Sequence, residues 1–301
     1  MRSLNIALSI KERNYFNTTT VSIFHKAYQN KGFKALTLNL LFCGISWAGI
    51  AQESDQRIFE ATIQKKYNSE QGQRVIEIAQ TFLGKPYVAH TLEGKKENLV
   101  VNLREFDCST FVESVLAIAM CKNNSFDDFT HNLETLRYRY GHVNGFGSRL
   151  HYFTDWLKEN ERKGLIKDQT QACAGKPYKK SVSFMTSHLP LYPQLEDYRA
   201  LEAVKMAEIE LMRKSFFYIP KAEVAKKESC IQNGDIIAIT TSKSGLDISH
   251  QGFAIVVNGR VHLLHASQDL KEVIISQEPL AEYLAKHASQ TGIMISRLVK
   301  K

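Results

Sequence analysis

The dipeptide Asn258-Gly259 constrains the fold of this chain more than any other pair of residues. It stands between two β-branched runs, 250–257 and 260–266. An Asn-Gly pair so placed is the strongest short-range hairpin signal, because a two-residue type I′ turn needs positive φ at both central positions. The turn axis falls between 258 and 259, so residue 250 faces about 267 and lies diagonal to 265. Side chains alternate across a strand, so His250 and His265 are expected as neighbours on one face of the hairpin. Three further β-branched runs, 235–241, 272–276 and 292–298, make an antiparallel meander of the C-terminal part.

A different pattern precedes the meander. Phe111, Val112, Val115, Leu116, Ile118 and Ala119 spread around nearly the whole circumference of a helix, as in a buried one. Asp107 is a natural N-cap for it, which puts Cys108 in its first turn. Another helix is expected over 55–83 from Ile58, Ile63, Val75, Ile76, Ala79, Phe82 and Leu83, stopped by Gly84 and Pro86. Leu99, Val100, Val101 and Leu103 suit a short strand or an extended approach. Residues 125–230 read as an insertion of two or three helices, richest over 129–140 and 199–217, with Pro177, Pro190 and Pro193 in its loops. This insertion is expected to wrap the core and to carry substrate specificity. A buried helix followed by an antiparallel meander defines an α+β fold.

A thiol attacks an acyl carbon well only as thiolate, and a helix N-terminus or a neighbouring imidazole lowers its pKa. Cys108 has the first advantage by position, and the hairpin supplies the second. His250 would act as base and His265 as the group that orients it, the general arrangement of an activated nucleophile. Each piece also has an ordinary structural explanation. A cysteine in a buried helix is usually a small core residue, and strand histidines, His262 included, are often simply hydrogen-bonded. The combination is what points to catalysis.

The net charge of +8 invites a nucleic-acid reading, which its distribution excludes. Residues 1–51 hold six bases and one acid; without them 33 bases face 30 acids, a net charge of +3, with no basic stripe carrying interleaved aromatics. Lys26, Lys31 and Lys34 precede an uncharged apolar run from Ala35 to Ala51 that closes on Ala48, Gly49 and Ala51. This order is that of a secretory signal, with cleavage expected after Ala51. The run is about 17 residues and is interrupted by Asn39 and two glycines, short for a membrane span. Phe42 before Cys43 argues against a lipoprotein signal. The expected organisation is an N-terminal extension and signal over 1–51 and a single catalytic domain over 52–301. Cys108, Cys121, Cys173 and Cys230 show no CxxC pairing, so a zinc site is not expected; in an oxidising compartment four cysteines can pair, and their spacing leaves that open.

The string Phe106-Asp107-Cys108-Ser109-Thr110-Phe111-Val112-Glu113 resembles the nucleophile motif of NlpC/P60 cell-wall hydrolases, and more closely their DUF1460 branch of N-acetylmuramoyl-L-alanine amidase-like proteins. Phe82-Leu83-Gly84-Lys85-Pro86-Tyr87-Val88-Ala89, Thr91-Leu92-Glu93, the run from Ser148 to Trp156, Gly234-Asp235-Ile236, Ser249-His250 with Gly252, and the run from His262 to Ser267 resemble the same branch. The matches span about 75–298. The resemblance implies a papain-like core and hydrolysis of peptidoglycan fragments between the muramic acid lactyl group and L-alanine, with anhydro-muropeptides as substrates. It implies Cys108 as nucleophile, His250 as general base, His265 as third polar residue and Tyr87 as a hydrogen-bond donor to substrate or oxyanion. His90 departs from the pattern, which has glycine there.

No metal or organic cofactor is expected, no nucleic-acid partner, and no stable membrane span after signal cleavage. Arg149, His151, Tyr152, Asp155 and Trp156 are candidate substrate contacts, since a muropeptide offers a sugar face for stacking and carboxylates for Arg; Asp107 is a cap first and a possible second contact. The implied location is the periplasm, where recycling substrates collect. Two other readings compete: an endopeptidase cutting between D-glutamate and diaminopimelate with the same catalytic residues, and a non-catalytic muropeptide-binding protein.

Overall fold

A computed structural model describes residues 47–299, with side chains from Asp55 onward. The basic segment and most of the apolar run expected to direct export lie outside the described residues. Only 47–51 fall within them, at the start of helix α1 (Trp47–Ile63), which runs across Ala51.

The single helix expected over 55–83 is two helices, α1 and α2 (Gln71–Gln80). The break is polar and local. The Tyr67 hydroxyl donates to the Thr62 carbonyl at 2.6 Å, and the Glu70 carboxylate caps α2 by accepting from the Gly72 and Gln73 N–H groups at 3.0 and 2.7 Å. Apolar spacing resumes on the same register after it, so periodicity alone does not reveal it.

Helix α3 (Cys108–Ala119) is the centre of the molecule. Every residue from Thr110 to Ile118 is buried, because α2 and α4 (Phe126–Arg137) pack on one side and the sheet on the other. Residues 125–230 continue through α5 (Phe153–Arg162), β1 (Ile166–Asp168), β2 (Lys176–Tyr178), α6 (Phe184–Ser187), α7 (Tyr198–Met212), β3 (Phe216–Pro220) and α8 (Val224–Lys227). The insertion is therefore more than helices and loops: it also lengthens the sheet. Its three strands are three to five residues long, too short to show a period of two.

The expected meander is present as β4 (Ile236–Thr241), β5 (Ile248–Val257), β6 (Arg260–Ser267), β7 (Glu272–Ile275) and β8 (Gln290–Leu298), with α9 (Leu280–Ala285) before the last strand. The order is β2-β3-β8-β4-β5-β6-β7, with β1 also pairing β8, and every pairing between these strands is antiparallel. This is a mixed fold with an antiparallel sheet, as the α+β reading requires. One sheet face packs Phe253 and Ile255 against Phe106, Phe111 and Val115; the other packs Ile237, Ile239, Ala254 and Leu263 against Leu280 and Leu284 of α9. Phe111 and Phe253 meet edge to face with centroids 5.8 Å apart. Burying each such ring contributes about 1.5–3 kcal/mol, which fixes α3 on β5 and so fixes Cys108 relative to that strand.

Cys173 and Cys230 form a disulfide that ties the loop after β1 to the approach to β4, while Cys108 and Cys121 are free.

Candidate active site

Asp107 sits in extended backbone and its carboxylate accepts from the N–H groups of Ser109 and Thr110 at 2.9 and 2.8 Å. Thr110 Oγ1 returns the favour by accepting from the Asp107 N–H at 2.9 Å. This is a capping box with threonine where glutamate or glutamine is usual. It starts α3 at Cys108, whose own N–H is one of the first-turn amides that no helical carbonyl can reach. Segment 84–88 lies along β7 and Phe106: Gly84 N–H donates to Val273 O at 2.9 Å, Tyr87 N–H to Lys271 O at 2.8 Å, and Val88 N–H to Phe106 O at 2.9 Å. Tyr87 is thereby held beside Asp107 and Cys108.

The hairpin has the register the Asn-Gly turn dictates. Phe253 pairs with Leu264 and Val257 with Arg260, so Gly252 falls opposite His265. His250 Nε2 and His265 Nδ1 are 2.6 Å apart, their rings nearly perpendicular with centroids at 4.8 Å. Two local features allow this. The β4–β5 pairing slips next to Ile239–His250, leaving Ser249 as an extra residue, and such a bulge re-aims the neighbouring side chain. Gly252 supplies room: a Cβ there would lie 2.8 Å from the His265 Cβ and 2.7 Å from the Leu264 carbonyl oxygen.

Tyr283 of α9 meets the His265 ring edge-on at 5.5 Å and in turn contacts His287 at 4.6 Å. Burial pushes His250 down to about 4, with Asp269 opposing and His287 adding to the effect. His265 is pushed down to about 2 by burial, then by His250 and His287. Both imidazoles are neutral at neutral pH. Cys108 is partly exposed at the start of its helix, while its sulfur is closely walled by protein. Burial, then the Asp107 charge, pushes it up to about 12, against the Gln251 N–H, the Ser109 hydroxyl and its own N–H. Tyr87 is raised to about 12 by burial and then by Cys108 and Asp107.

The expectation of a thiol lowered by the helix N-terminus is therefore corrected. Asp107 occupies the amides that would have served the sulfur and brings a negative charge beside it. The resting pair is thiol and neutral imidazole, so the proton has to move as the sulfur attacks.

The structure sets Tyr87 beside Asp107 and Cys108, and pairs His250 with His265 one residue before Gln251, whose N–H faces the Cys108 sulfur. It commits the other candidates elsewhere. Arg149 is buried between Glu93 and Glu97, at 3.2 and 3.3 Å, with its guanidinium over the Phe146 ring. The Tyr152 hydroxyl donates to Glu208 at 2.7 Å and accepts from the Met185 N–H at 2.8 Å. Trp156 is core, stacked on Phe153 at 5.8 Å. His151 bonds the Phe146 carbonyl oxygen at 2.8 Å, and Asp155 pairs with Arg139. These five side chains build the insertion. A groove of about 1020 Å³ runs past Lys95, Tyr140, Gln194, Arg199 and Met206, and none of Tyr87, Asp107, Cys108, His250 and His265 lines it. The chemistry, and not this groove, locates the candidate site.

His90 has φ +64° and is exposed, a left-handed backbone that accounts for glycine in the resembling pattern. Sequence reasoning missed Gln251 and Tyr283. Gln251 had a signal: it is a polar residue on the strand face otherwise given to Phe253 and Ile255. Among the described residues no group of three or more His, Cys, Asp or Glu could hold a metal ion.

The family model for AmiA-like proteins, described as N-acetylmuramoyl-L-alanine amidase-like, matches residues 77–293, a span that contains the whole candidate site. The chain belongs to the AmiA-like family. An N-acetylmuramoyl-L-alanine amidase from Bacteroides uniformis ATCC 8492 is 39% identical, with TM-score 0.74 over 77% of this chain and 100% of that one. A putative xylanase from Bacteroides fragilis is 40% identical, with TM-score 0.69 over 73% and 98%. A Legionella pneumophila protein described under the DUF1460 family model shares the fold at 21% identity, with TM-score 0.60 over 84% and 96%. Among curated protein sequences there is no significant match. AmiA-like membership makes this chain one of a family of amidase-like hydrolases.

Proposed function

We propose that this AmiA-like chain is a cysteine amidase that cleaves the bond between N-acetylmuramic acid, in its 1,6-anhydro form, and L-alanine in peptidoglycan fragments. The observation that carries the reading is the 2.6 Å contact of His250 Nε2 with His265 Nδ1, on the strand whose next residue, Gln251, meets the Cys108 thiol. A capped helix bearing the thiol on an antiparallel sheet bearing the imidazoles supports a papain-like NlpC/P60 core. The name of the B. uniformis relative supports the bond. Glycoside hydrolysis, the activity in the B. fragilis relative's name, uses a pair of carboxylates flanking the sugar bond; a thiol and two imidazoles suit acyl transfer.

With His250 Nε2–H donating to His265 Nδ1, His250 Nδ1 is left to accept the thiol proton. Sulfur then attacks the lactyl carbonyl carbon, forming the S–C bond while His250 becomes imidazolium. In this reading the Cys108 N–H and the Tyr87 hydroxyl hold the oxyanion. The tetrahedral intermediate collapses, the C–N bond breaks, and His250 returns its proton to the amine of L-alanine. Water, deprotonated by His250, then cleaves the thioester and restores the thiol. Every step uses protein groups and water.

The proposed location is the periplasm. The sequence of residues 26–51 and the Cys173–Cys230 disulfide both fit an exported, oxidised protein. Purified muropeptides with and without the anhydro ring, incubated with the protein and with Cys108→Ala, test the function by mass spectrometry. Free peptide beginning at L-alanine, released by the parent alone and faster from the anhydro form, is expected. Cleavage after D-glutamate would replace this reading by the endopeptidase one, and absence of any Cys108-dependent product would replace it by a binding role.

A further inference from the structure

The candidate site contains a polar pair that the acyl-transfer steps leave unused. Ser109 follows the nucleophile in the first turn of α3, and its N–H is taken by the Asp107 cap. Its hydroxyl oxygen accepts from Gln251 Nε2 at 2.8 Å. Gln251 is 7% exposed and is the residue after His250, on the opposite face of the strand from the imidazoles. Its Oε1 is buried without a hydrogen-bond partner.

A buried glutamine with half its amide unsatisfied costs free energy in a strand that otherwise faces the core. Its neighbours on that face, Phe253 and Ile255, show what packing alone would select. The amide has one partner, the Ser109 hydroxyl, and that bond settles where the Ser109 proton goes. An oxygen already accepting from Gln251 has its own hydrogen left to donate. Asp107 Oδ1 already accepts from the Ser109 and Thr110 N–H groups, and the Cys108 sulfur is the acceptor beside the Ser109 hydroxyl.

We propose that Ser109 and Gln251 act as a positioning pair for the nucleophile, with Gln251 turning the Ser109 hydroxyl proton toward the Cys108 sulfur. The proposal rests on Cys108 being the nucleophile. Gln251 then reaches the sulfur twice, by its backbone N–H and through Ser109 by its side chain. Both contacts favour the thiolate, against Asp107 and the burial that oppose it. Tyr87 and Tyr283 also face the sulfur as neutral phenols, and His250 is neutral until it takes the proton. The pair thus helps the sulfur at the moment when charge develops on it.

The test is the rate of iodoacetamide alkylation of Cys108 at fixed pH 8 in the full chain, followed by peptide mass spectrometry, for Ser109→Ala, Gln251→Leu, the double variant and Ser109→Thr. Loss of one hydrogen bond to a charged acceptor removes about ten- to a hundredfold of the thiolate, and the higher nucleophilicity of a more basic sulfur recovers roughly half of that on a logarithmic scale. Each single variant is therefore expected to slow alkylation about three- to tenfold. The double variant should be no slower than either single, and Ser109→Thr should keep the parental rate. Parental rates in both single variants, or additive losses in the double, would overturn the pairing. Gln251→Leu fills the same space, so a change in melting temperature without a change in rate would also count against it. The catalytic reading fails separately, if Cys108→Ala retains hydrolysis.

Discussion

Gly252→Ala isolates the imidazole pair from the rest of the fold. The new Cβ would lie 2.7 Å from the Leu264 carbonyl oxygen, 2.8 Å from the His265 Cβ and 3.2 Å from Leu263 Cδ1. Carbon atoms in contact rest about 3.5–4.0 Å apart, so β5 and β6 must separate by roughly an ångström at this position. Overpacking of this kind costs about 1–3 kcal/mol, or roughly 2–10 °C in melting temperature for a domain of this size. The same displacement stretches the 2.6 Å His250–His265 contact. Misplacing a catalytic group by about 1 Å lowers turnover on the order of a hundredfold. The assay is kcat on anhydro-muropeptides beside a thermal melt, with Gly259→Ala as control. Gly259 has φ +78° and open space around it. Alanine there strains the turn and costs about 1 kcal/mol without touching the site. Turnover should collapse in Gly252→Ala and persist in Gly259→Ala. Parental kcat in Gly252→Ala would refute the claim that the glycine exists to seat His265.

Reducing or removing the Cys173–Cys230 bond opens a loop with a sequence separation of 57. The chain-entropy model gives a loss of about 4 kcal/mol, read as a lower melting temperature with dithiothreitol and an unchanged alkylation rate at Cys108. His250 has to be neutral to accept a proton, so kcat/KM should fall on the acid side with a midpoint near 4. In stability the sign is the same. The unfolded imidazole protonates below about 6.5 while the folded one stays neutral to about 4, so stability is full above 6.5 and declines by about 3 kcal/mol on acidification through that window. Chemical denaturation at several pH values checks this, and His250→Asn should remove that share of the slope. Asp107→Asn keeps a capping oxygen while removing the charge beside the thiol. It should alkylate about two- to fivefold faster with stability nearly unchanged.

The parts of this protein legible in its sequence are those that short-range physics decides. The Asn258-Gly259 turn fixes a register, so the diagonal placement of His250 and His265 followed from counting. The Asp107 cap and the all-round apolar run of α3 likewise place Cys108 in the first turn of its helix. Local polar contacts and longer-range packing hide the rest. The break at 64–70 depends on Tyr67 reaching back to Thr62 and on Glu70 reaching forward, with the apolar spacing intact on both sides. Strands β1 and β3 exist because β8 offers them an edge, and β2 because β3 does; strands this short carry no period. Arg149, Tyr152 and Trp156 have the side chains of ligand contacts, but Glu93 and Glu97 reach Arg149 from outside the insertion, Glu208 reaches Tyr152 across it, and Trp156 is buried in the core. The partner of Cys173 was invisible for the same reason. The thiol's ionisation is hidden from the sequence because burial raises it first, and one carboxylate then serves both as cap and as a repelling charge.

The central claim is that Cys108 forms a covalent bond to the muramyl lactyl carbon. Acid-quenched reactions with anhydro-muropeptide, analysed by intact-protein and peptide mass spectrometry, test it most directly. The account predicts a transient adduct on the Cys108 peptide with the mass of the anhydro-muramyl acyl group, absent in Cys108→Ala. A peptidyl adduct in its place would contradict the choice of bond, and turnover without any adduct that survives in Cys108→Ala would contradict the nucleophile itself.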